Sequence, residues 1–158
     1  MGFRPQRRPQ DIRLPQRSTS VWLHTLSGWL RWSPNLITLH SGSKSHWFVD
    51  GAAMFNDEHI RESVLDYWQE KLGDRKVRLV AIPTGGIVWA EALAERTGNA
   101  WGTPDRLPAG QEPIVVIDDV VTTGASLRVV PYKFALVVVV RNRYVHVPRV
   151  ITWASIKL

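Results

Sequence analysis

Two adjacent aspartates, Asp118 and Asp119, are the side chains of this sequence best placed to do chemistry. They follow residues 114–117, a short β-branched run that predicts a buried strand. In open α/β sheets ligands sit outside the C-terminal ends of the strands, so both carboxylates are expected at a site-forming position. Carboxylates accept hydrogen bonds from sugar hydroxyls, and they hold Mg²⁺ directly or through water. The pair therefore predicts a site for a hydroxylated ligand, a magnesium ion, or both.

A run of small and hydroxylated residues comes directly after the pair and leads towards a predicted helical turn. Backbone N–H groups and a helix dipole can converge there on one phosphate. An acidic pair beside such a cradle favours a ribose 5-phosphate, because the acids would accept hydrogen bonds from the sugar hydroxyls. The residues of this run are Thr122, Thr123, Gly124, Ala125 and Ser126.

Two other interpretations of the same residues stay open. In the first, the aspartates only cap a turn and Thr122 or Thr123 only caps a helix, which is a common local arrangement. In the second, an aspartate accepts a phosphoryl group, or the pair binds a metal, as part of another kind of α/β enzyme. The hydroxyl-rich loop favours binding of a phosphate that is already part of the ligand.

The remaining sequence alternates apolar strand-like runs with helical patterns, which is typical of an α/β fold with a mainly parallel sheet. The clearest helix is predicted over residues 57–72, where apolar side chains share one face and Gly73 can end the helix. The other predicted elements are an amphipathic helix ending before Pro34, a hairpin with strands at 36–39 and 47–49, a helix at 87–97, strands at 77–82 and 135–140, and extended segments within 144–156.

Composition narrows the class of protein. The chain has 158 residues, of which 44% are hydrophobic, and this predicts one globular domain. It has no cysteine, which excludes disulfides, thiolate nucleophiles and Cys-ligated zinc. No apolar run reaches the roughly 18 residues that a membrane span needs. We therefore expect a soluble, cytoplasmic protein.

Charge favours anionic ligands. The net charge is +6 and the pI is about 10.2, which leaves phosphates, nucleic acid and anionic membrane surfaces open as partners. Part of the excess lies in residues 1–17, where arginines stand among prolines and glutamines. We interpret this segment as a flexible basic arm, either a solubilising tail or an RNA contact, in front of a single domain over residues 18–158.

The acidic pair and its loop closely resemble the phosphoribosyl pyrophosphate signature of the type I phosphoribosyltransferases, since residues 115–126 read VVIDDVVTTGAS. The resemblance implies a Rossmann-like fold, with a mainly parallel central sheet flanked by helices and an N-terminal helix and hairpin. It also implies a homodimer and a site for phosphoribosyl pyrophosphate with Mg²⁺. Asp118 and Asp119 would contact the ribose hydroxyls and influence the metal, residues 122–126 would wrap the 5-phosphate, and a loop with Thr84, Gly85 and Gly86 would bind pyrophosphate.

A second match concerns the base. Residues 37–48 read ITLHSGSKSHWF and resemble the N-terminal hairpin of orotate phosphoribosyltransferases, the members of the family to which this shortened chain is most similar. This match implies that His40, Lys44 and Phe48 border the base. It further implies that the base is orotate and that the pathway is pyrimidine nucleotide biosynthesis.

The sequence departs from the orotate enzymes in ways that keep two functions open. Those enzymes carry lysine where His40 stands, and they have a mobile loop with a lysine. The corresponding residues 99–113 contain no lysine, and Arg106 is their only cation. The connection from Ser126 to Ala135 is also short for a parallel crossover. The two hypotheses are a Mg²⁺-dependent transferase and a non-catalytic relative that senses phosphoribosyl pyrophosphate or a nucleotide, or binds RNA through the basic arm.

Overall fold

A computed structural model describes residues 12–13, 28–39, 42–141 and 149–156 of the chain. The elements, in chain order, are β1 (Ile12–Arg13), β2 (Leu30–Thr38), β3 (Lys44–Val49), α1 (Gly51–Asn56), α2 (Glu58–Leu72), β4 (Arg78–Ala81), α3 (Gly85–Thr97), β5 (Trp101–Gly102), β6 (Ile114–Val121), a 3-10 helix (Ala125–Val129), β7 (Phe134–Arg141) and β8 (Val150–Ile156).

The core is a six-stranded sheet with the order β1-β8-β7-β6-β4-β5. Every pairing in it is parallel except that of β1 with β8. All eight residues of β7 are buried, as expected of a central parallel strand that is covered on both faces. The predicted α/β class with a mainly parallel sheet flanked by helices is confirmed. Strands β2 and β3 form a separate antiparallel hairpin, also as predicted.

The two longer helices begin and end at the residues that cap them. Asp57 caps α2 by accepting a hydrogen bond from the Ile60 N–H, and Gly73 ends the helix at a φ of 60°. The predicted apolar face of α2 is buried. Helix α3 begins two residues earlier than predicted and ends at Gly98, whose φ is 71°. Within the described ranges, no helix has the length and apolar character needed to cross a membrane.

The sheet has a helical face and a thinly covered face. Side chains of α2 and α3, including Trp68 and Trp89, pack against alternate residues of β4, β6 and β7. The intervening residues of the same strands cluster with Leu127 and Val130, at the 3-10 helix and just after it. The link between β6 and β7 therefore covers this face without an α-helix, which accounts for the short connection seen in the sequence.

Three predicted elements are corrected by the structure. Residues 30–33 belong to β2, whereas the sequence predicted a helix that continues to Pro34, because Leu30 and Arg31 pair with Val49 and Phe48 of β3. Strand β6 does not end at residue 117, since its pairing with β7 continues to Val121. The predicted loop at 99–113 contains β5, which pairs with β4. In each case a pairing with a distant strand outweighs the local pattern.

Part of the predicted flexible arm is in the sheet. Ile12 and Arg13 form β1 and pair with Ile156 and Ser155 of β8. The other residues of the segment 1–17 lie outside the described part of the chain, so the division into an arm and a domain stays a prediction.

Candidate functional site

A cavity of about 590 Å³ lies at the C-terminal ends of β4, β6 and β7, beside the hairpin. This is the edge of a parallel sheet at which ligands bind in open α/β folds. Its wall combines segments that are far apart in the sequence. They are the hairpin (Leu39, Phe48, Val49), the start of α1 (Gly51, Ala52), the turn after β4 (Ile82, Pro83, Thr84, Gly85), the end of β6 with its loop (Asp118, Asp119, Val120, Thr122, Thr123, Gly124, Ala125, Ser126) and the end of β7 (Arg141).

Most of the predicted site residues meet at this cavity. Both aspartates, the whole of residues 122–126, Thr84, Gly85 and Phe48 contribute to its wall. Lys44 lies at the start of β3 and Gly86 lies behind the wall, so neither of these two predicted residues lines the cavity. His40 lies outside the described residues.

Asp118 is buried at the base of the site, with 4% of its surface exposed. Its Oδ1 accepts a hydrogen bond from the Asp119 N–H at 2.8 Å, and its Oδ2 accepts one from the Ser126 hydroxyl at 3.2 Å. Burial raises the pKa of Asp118 to about 8, and the neighbouring Asp119 carboxylate contributes to the rise. The raised pKa favours the protonated form of Asp118 and so limits the negative charge of the acidic pair.

Asp119 points to the other side of β6, because successive side chains of a strand alternate between the two faces. Its Oδ1 accepts a hydrogen bond from the Val120 N–H at 2.7 Å. Its Oδ2 lies against Gly51 at the start of α1 and Gly85 at the start of α3. Asp119 thus faces the turn that contains Thr84, whereas Asp118 faces the loop that contains Ser126.

Gly86 is required by packing. Its N–H donates to the Ile82 carbonyl at 2.9 Å, so this amide is not available to a ligand in this conformation. A Cβ at Gly86 would come 2.5 Å from the Ile117 carbonyl oxygen, closer than any ordinary contact. The glycine therefore lets α3 approach β6, and it leaves Thr84 and Gly85 to form the cavity wall.

The loop at residues 122–126 curls around one end of the cavity. Gly124 adopts a φ of 82°, which favours glycine, and Thr123 Oγ1 accepts a hydrogen bond from the Ala125 N–H at 3.3 Å. The helix expected after this loop is only the 3-10 helix, so the helix dipole predicted from the sequence is not supplied. Pro131 and the start of β7 at Phe134 leave no room for a longer helix.

Arg141 is a cavity residue that the sequence analysis did not select. It is the last residue of β7 and has 8% of its surface exposed. Its Nη2 donates to the Ser45 hydroxyl of β3, and its Nε is buried with no hydrogen-bond partner in the described part of the chain. Burial lowers the pKa of the Arg141 guanidinium. The bond to Ser45 places this cation at the hairpin side of the cavity. An isolated arginine at a strand end carries no local signal for such a role.

The segment at residues 99–113 is tied to the edge of the sheet. Arg78 in β4 donates to the carbonyls of Glu112 and Pro108 at 2.8 Å and 3.3 Å. Thr103 and Arg106 form an antiparallel bridge, with both backbone hydrogen bonds present. Arg106 is held in this turn and does not line the cavity. Among the described residues, Arg141 is the only cationic side chain of the cavity wall.

These ties predict that the 99–113 segment does not act as a mobile lid. Backbone amides that are hydrogen-bonded between strands exchange slowly unless the segment opens. We expect slow amide exchange at Thr103 and Arg106, and exchange there should change less than about twofold when phosphoribosyl pyrophosphate is added. Hydrogen exchange read by mass spectrometry measures this, and the loop at 122–126 provides the internal comparison. Fast exchange at 99–113 that ligand suppresses would show a lid instead.

The acidic pair fits a magnesium ion that is shared with a ligand. The described residues contain no cluster of three or more His, Asp or Glu side chains that could hold a metal alone. Mg²⁺, however, is commonly held by one or two carboxylates together with water and the phosphates of a substrate. The Oδ2 atom of Asp119 faces the cavity wall at Gly51 and Gly85, next to the space for such a ligand.

Comparisons with known proteins show which proteins this chain is similar to. No protein-family model matches the chain. The orotate phosphoribosyltransferase of Aeropyrum pernix is 33% identical over 104 residues, which span 56% of this chain and 56% of that relative. The crystal structure of orotate phosphoribosyltransferase from Aeropyrum pernix superposes with a TM-score of 0.63 and 26% identity, covering 81% of this chain and 87% of that chain. The chain has the type I phosphoribosyltransferase fold. The predicted resemblance to this family, and to a shortened orotate enzyme, is confirmed.

The fold is shared with phosphoribosyltransferases that act on another base. Adenine phosphoribosyltransferase from Trypanosoma brucei, solved in complex with AMP, pyrophosphate and ribose-5-phosphate, superposes with a TM-score of 0.62. Its identity is 12%, with coverage of 88% of this chain and 81% of that chain, and at this level the likeness concerns the fold alone. The match to the curated orotate enzyme spans little more than half of that protein, so the choice of base must come from the cavity itself.

Proposed function

We propose that this protein is a Mg²⁺-dependent phosphoribosyltransferase that transfers ribose 5-phosphate from phosphoribosyl pyrophosphate to orotate, in pyrimidine nucleotide biosynthesis. The observation that carries the proposal is the composition of one cavity wall. It joins an acidic pair, a hydroxyl-rich loop and a buried arginine, which match the hydroxyls, the phosphate and the carboxylate of the two substrates.

The donor would lie across the end of β6. Residues 122–126 would hold the 5-phosphate with backbone N–H groups and hydroxyls, since these donors suit a fixed anion. Asp118 and Asp119 would accept hydrogen bonds from the ribose hydroxyls, and Thr84 and Gly85 would contact the pyrophosphate. Asp118 and Asp119 would hold Mg²⁺ directly or through water molecules, and the ion when bound would neutralise charge on the departing pyrophosphate.

The base would lie at the hairpin side, where the cavity is lined by Phe48 and Arg141. Phe48 is 40% exposed, so an aromatic face is available to a flat ring. Orotate carries a carboxylate whereas adenine is neutral. A buried guanidinium in the cavity wall favours the carboxylate, because charge-assisted hydrogen bonds strengthen away from water. This supports orotate over adenine as the base.

Catalysis would depend mainly on position and charge. The bond from the ribose C1 to the pyrophosphate oxygen breaks, a bond from C1 to a nitrogen of the base forms, and the proton of that nitrogen passes to the departing pyrophosphate or to water. The chain would hold the donor and the base in line, which removes most of the entropic cost of their encounter. Asp118 and Asp119 would stabilise positive charge on the ribosyl group. No covalent intermediate with the protein is needed.

One observation favours the non-catalytic alternative. The cavity wall has one cation among the described residues, at the hairpin side, and the 99–113 segment is pinned elsewhere. The protein would therefore have no counterpart, among its described residues, to the lysine that the orotate enzymes carry on a mobile loop to stabilise the departing pyrophosphate. A protein that senses phosphoribosyl pyrophosphate without turning it over would have the same wall.

Isothermal titration of phosphoribosyl pyrophosphate, with and without Mg²⁺, tests the proposal. We expect binding that needs Mg²⁺, followed by release of pyrophosphate after orotate is added to the same sample. Adenine in place of orotate is the matched control and should give no release. Binding without release for either base would favour the sensor. The absence of binding would show that the loop at 122–126 has another role, and RNA binding lost on removal of residues 1–17 would then favour the RNA-binding relative.

A further inference from the structure

The backbone conformation at residue 51 does not require glycine. Gly51 is the first residue of α1 and is not among the glycines with positive φ. Alanine is a better helix former than glycine and would be allowed by this backbone. The reason for glycine at this position therefore lies in what surrounds it.

The surroundings of Gly51 are the side chain of Asp119. A Cβ at Gly51 would overlap Oδ2 of Asp119 and lie 3.0 Å from its Cγ and 3.2 Å from its Cβ. A Cβ at Gly85, the first residue of α3, would overlap the same carboxylate. The carboxylate thus lies against two helix starts that both lack a side chain. We call the space left by Gly51 and Gly85 the glycine slot.

The Gly51 side of the slot is held firmly. The N–H of Asp50 donates to the Trp29 carbonyl at 2.7 Å, and Oδ1 of Asp50 accepts from the Ala53 N–H at 3.0 Å. Arg31 adds an ion pair to Asp50 at 3.0 Å. Because these contacts fix the start of α1 beside β2, a methyl group at residue 51 would displace the Asp119 carboxylate before it displaced the helix.

We propose that Gly51 is a positioning residue for Asp119. Its missing side chain lets the carboxylate rest in the glycine slot, facing the cavity beside Thr84 and Gly85. Gly51 touches no ribose or pyrophosphate in this proposal and acts only through Asp119. The inference rests on the proposed function in one respect, namely that Asp119 contacts the ribose of the donor.

A double-mutant cycle on thermal unfolding tests the contact without any ligand. Gly51→Ala is expected to lower the melting temperature by about 3 °C in the wild-type background. In the Asp119→Ala background the carboxylate is gone and only the Cβ of residue 119, at 3.2 Å, stays close, so the same change should lower the melting temperature much less or raise it, as helix propensity predicts. Equal shifts in the two backgrounds would overturn the contact. If Gly51→Ala alone does not fold, recovery of folding in the double variant supports the proposal, and failure to recover overturns it.

Titration of phosphoribosyl pyrophosphate with Mg²⁺ tests the consequence. Gly51→Ala should weaken binding at least about tenfold, the equivalent of roughly 1.4 kcal/mol. Gly28→Ala is the matched control, because Gly28 is exposed and a Cβ there meets no atom within 4 Å, and its affinity should equal that of the wild type. Wild-type affinity in Gly51→Ala would overturn the positioning role. If the wild-type protein does not bind the donor, the proposed function fails, while the unfolding cycle still decides whether the glycine slot exists.

Discussion

Asp118→Asn is expected to make the protein more stable while weakening its binding of phosphoribosyl pyrophosphate, because an amide cannot become the carboxylate that would hold Mg²⁺. Asparagine has the same shape and can accept from the Asp119 N–H and donate to the Ser126 oxygen, so the hydrogen bonds of Asp118 have counterparts. The substitution also removes the unfavourable free energy of burying an ionisable group beside another acid. Functional residues commonly reduce stability in this way.

The stability gain should depend on pH in a definite direction. The folded pKa of about 8 lies above the model value of 3.8, so the native protein keeps a proton that the unfolded chain releases. Below about pH 4 Asp118 is protonated in both states and does not lower the free energy of unfolding. As the pH rises from about 4 to about 8, the unfolded chain loses this proton first, so the free energy of unfolding of the wild type falls. Because Asn does not titrate, the advantage of the variant should grow through this window, on the order of 2 to 5 kcal/mol, and level off above it.

Thermal unfolding of both proteins from pH 4 to pH 9 measures this difference. We expect a gap of about 10 °C at pH 8 and a much smaller gap at pH 4. Asp105→Asn is the control, since Asp105 is fully exposed and the hydrogen bond from Thr103 lowers its pKa, the opposite direction. A gap that does not change with pH would mean that Asp118 is ionised in the native protein. Retained donor affinity in Asp118→Asn would remove this residue from the ribose site.

Arg141→Gln is expected to abolish the preference for orotate. Glutamine can still donate to the Ser45 hydroxyl, so the tie between β7 and the hairpin has a substitute, but the positive charge is lost. Leaving a carboxylate without its buried partner costs a few kcal/mol, so orotate should bind about 100-fold more weakly. The affinity for phosphoribosyl pyrophosphate should not change, because the donor would lie at the other end of the cavity.

Uracil, which is orotate without the carboxylate, separates charge from shape. Its KM should be similar in the wild type and in Arg141→Gln, whereas the KM of orotate should rise in the variant alone. Arg128→Gln, at an exposed residue of the 3-10 helix, is the matched control for loss of one positive charge. If Arg141→Gln lowers the affinity for phosphoribosyl pyrophosphate but not for orotate, Arg141 binds a phosphate of the donor. If neither changes, the base lies elsewhere.

Several parts of this protein could be predicted from the sequence because their causes are local. Asp57 and Gly73 end α2 through bonds within one turn, and the apolar spacing between them defines the buried face. The hairpin follows from turn residues between two short extended runs. The acidic pair and residues 122–126 carry their chemistry in a continuous stretch, so their meeting at one cavity could be expected from the end of a single strand.

Other parts depended on contacts between distant residues. Nothing near Arg141 in the sequence indicates burial, since its role comes from Ser45 in the hairpin, 96 residues away. Leu30 ends an apolar pattern with helical spacing, which predicted a helix ending before Pro34, yet pairing with β3 makes residues 30–33 a strand. Gly51 has no sequence signal that separates it from an ordinary helix glycine, and Gly86 was predicted to bind pyrophosphate. The structure shows Asp119 against the first and the Ile117 carbonyl against the second.

The α/β class, the main helix, the hairpin and the shared location of the acidic pair and its loop could therefore be predicted from the sequence alone. These depend on hydrogen bonds and side-chain spacing within a few residues of one another. The position of Arg141 in the cavity wall, the glycines that are needed for space, and the ties of the 99–113 segment became visible only in the folded structure. Those features exist because chain segments far apart in sequence are brought within contact distance. The residues next to each position in the sequence do not indicate which distant segment it will contact.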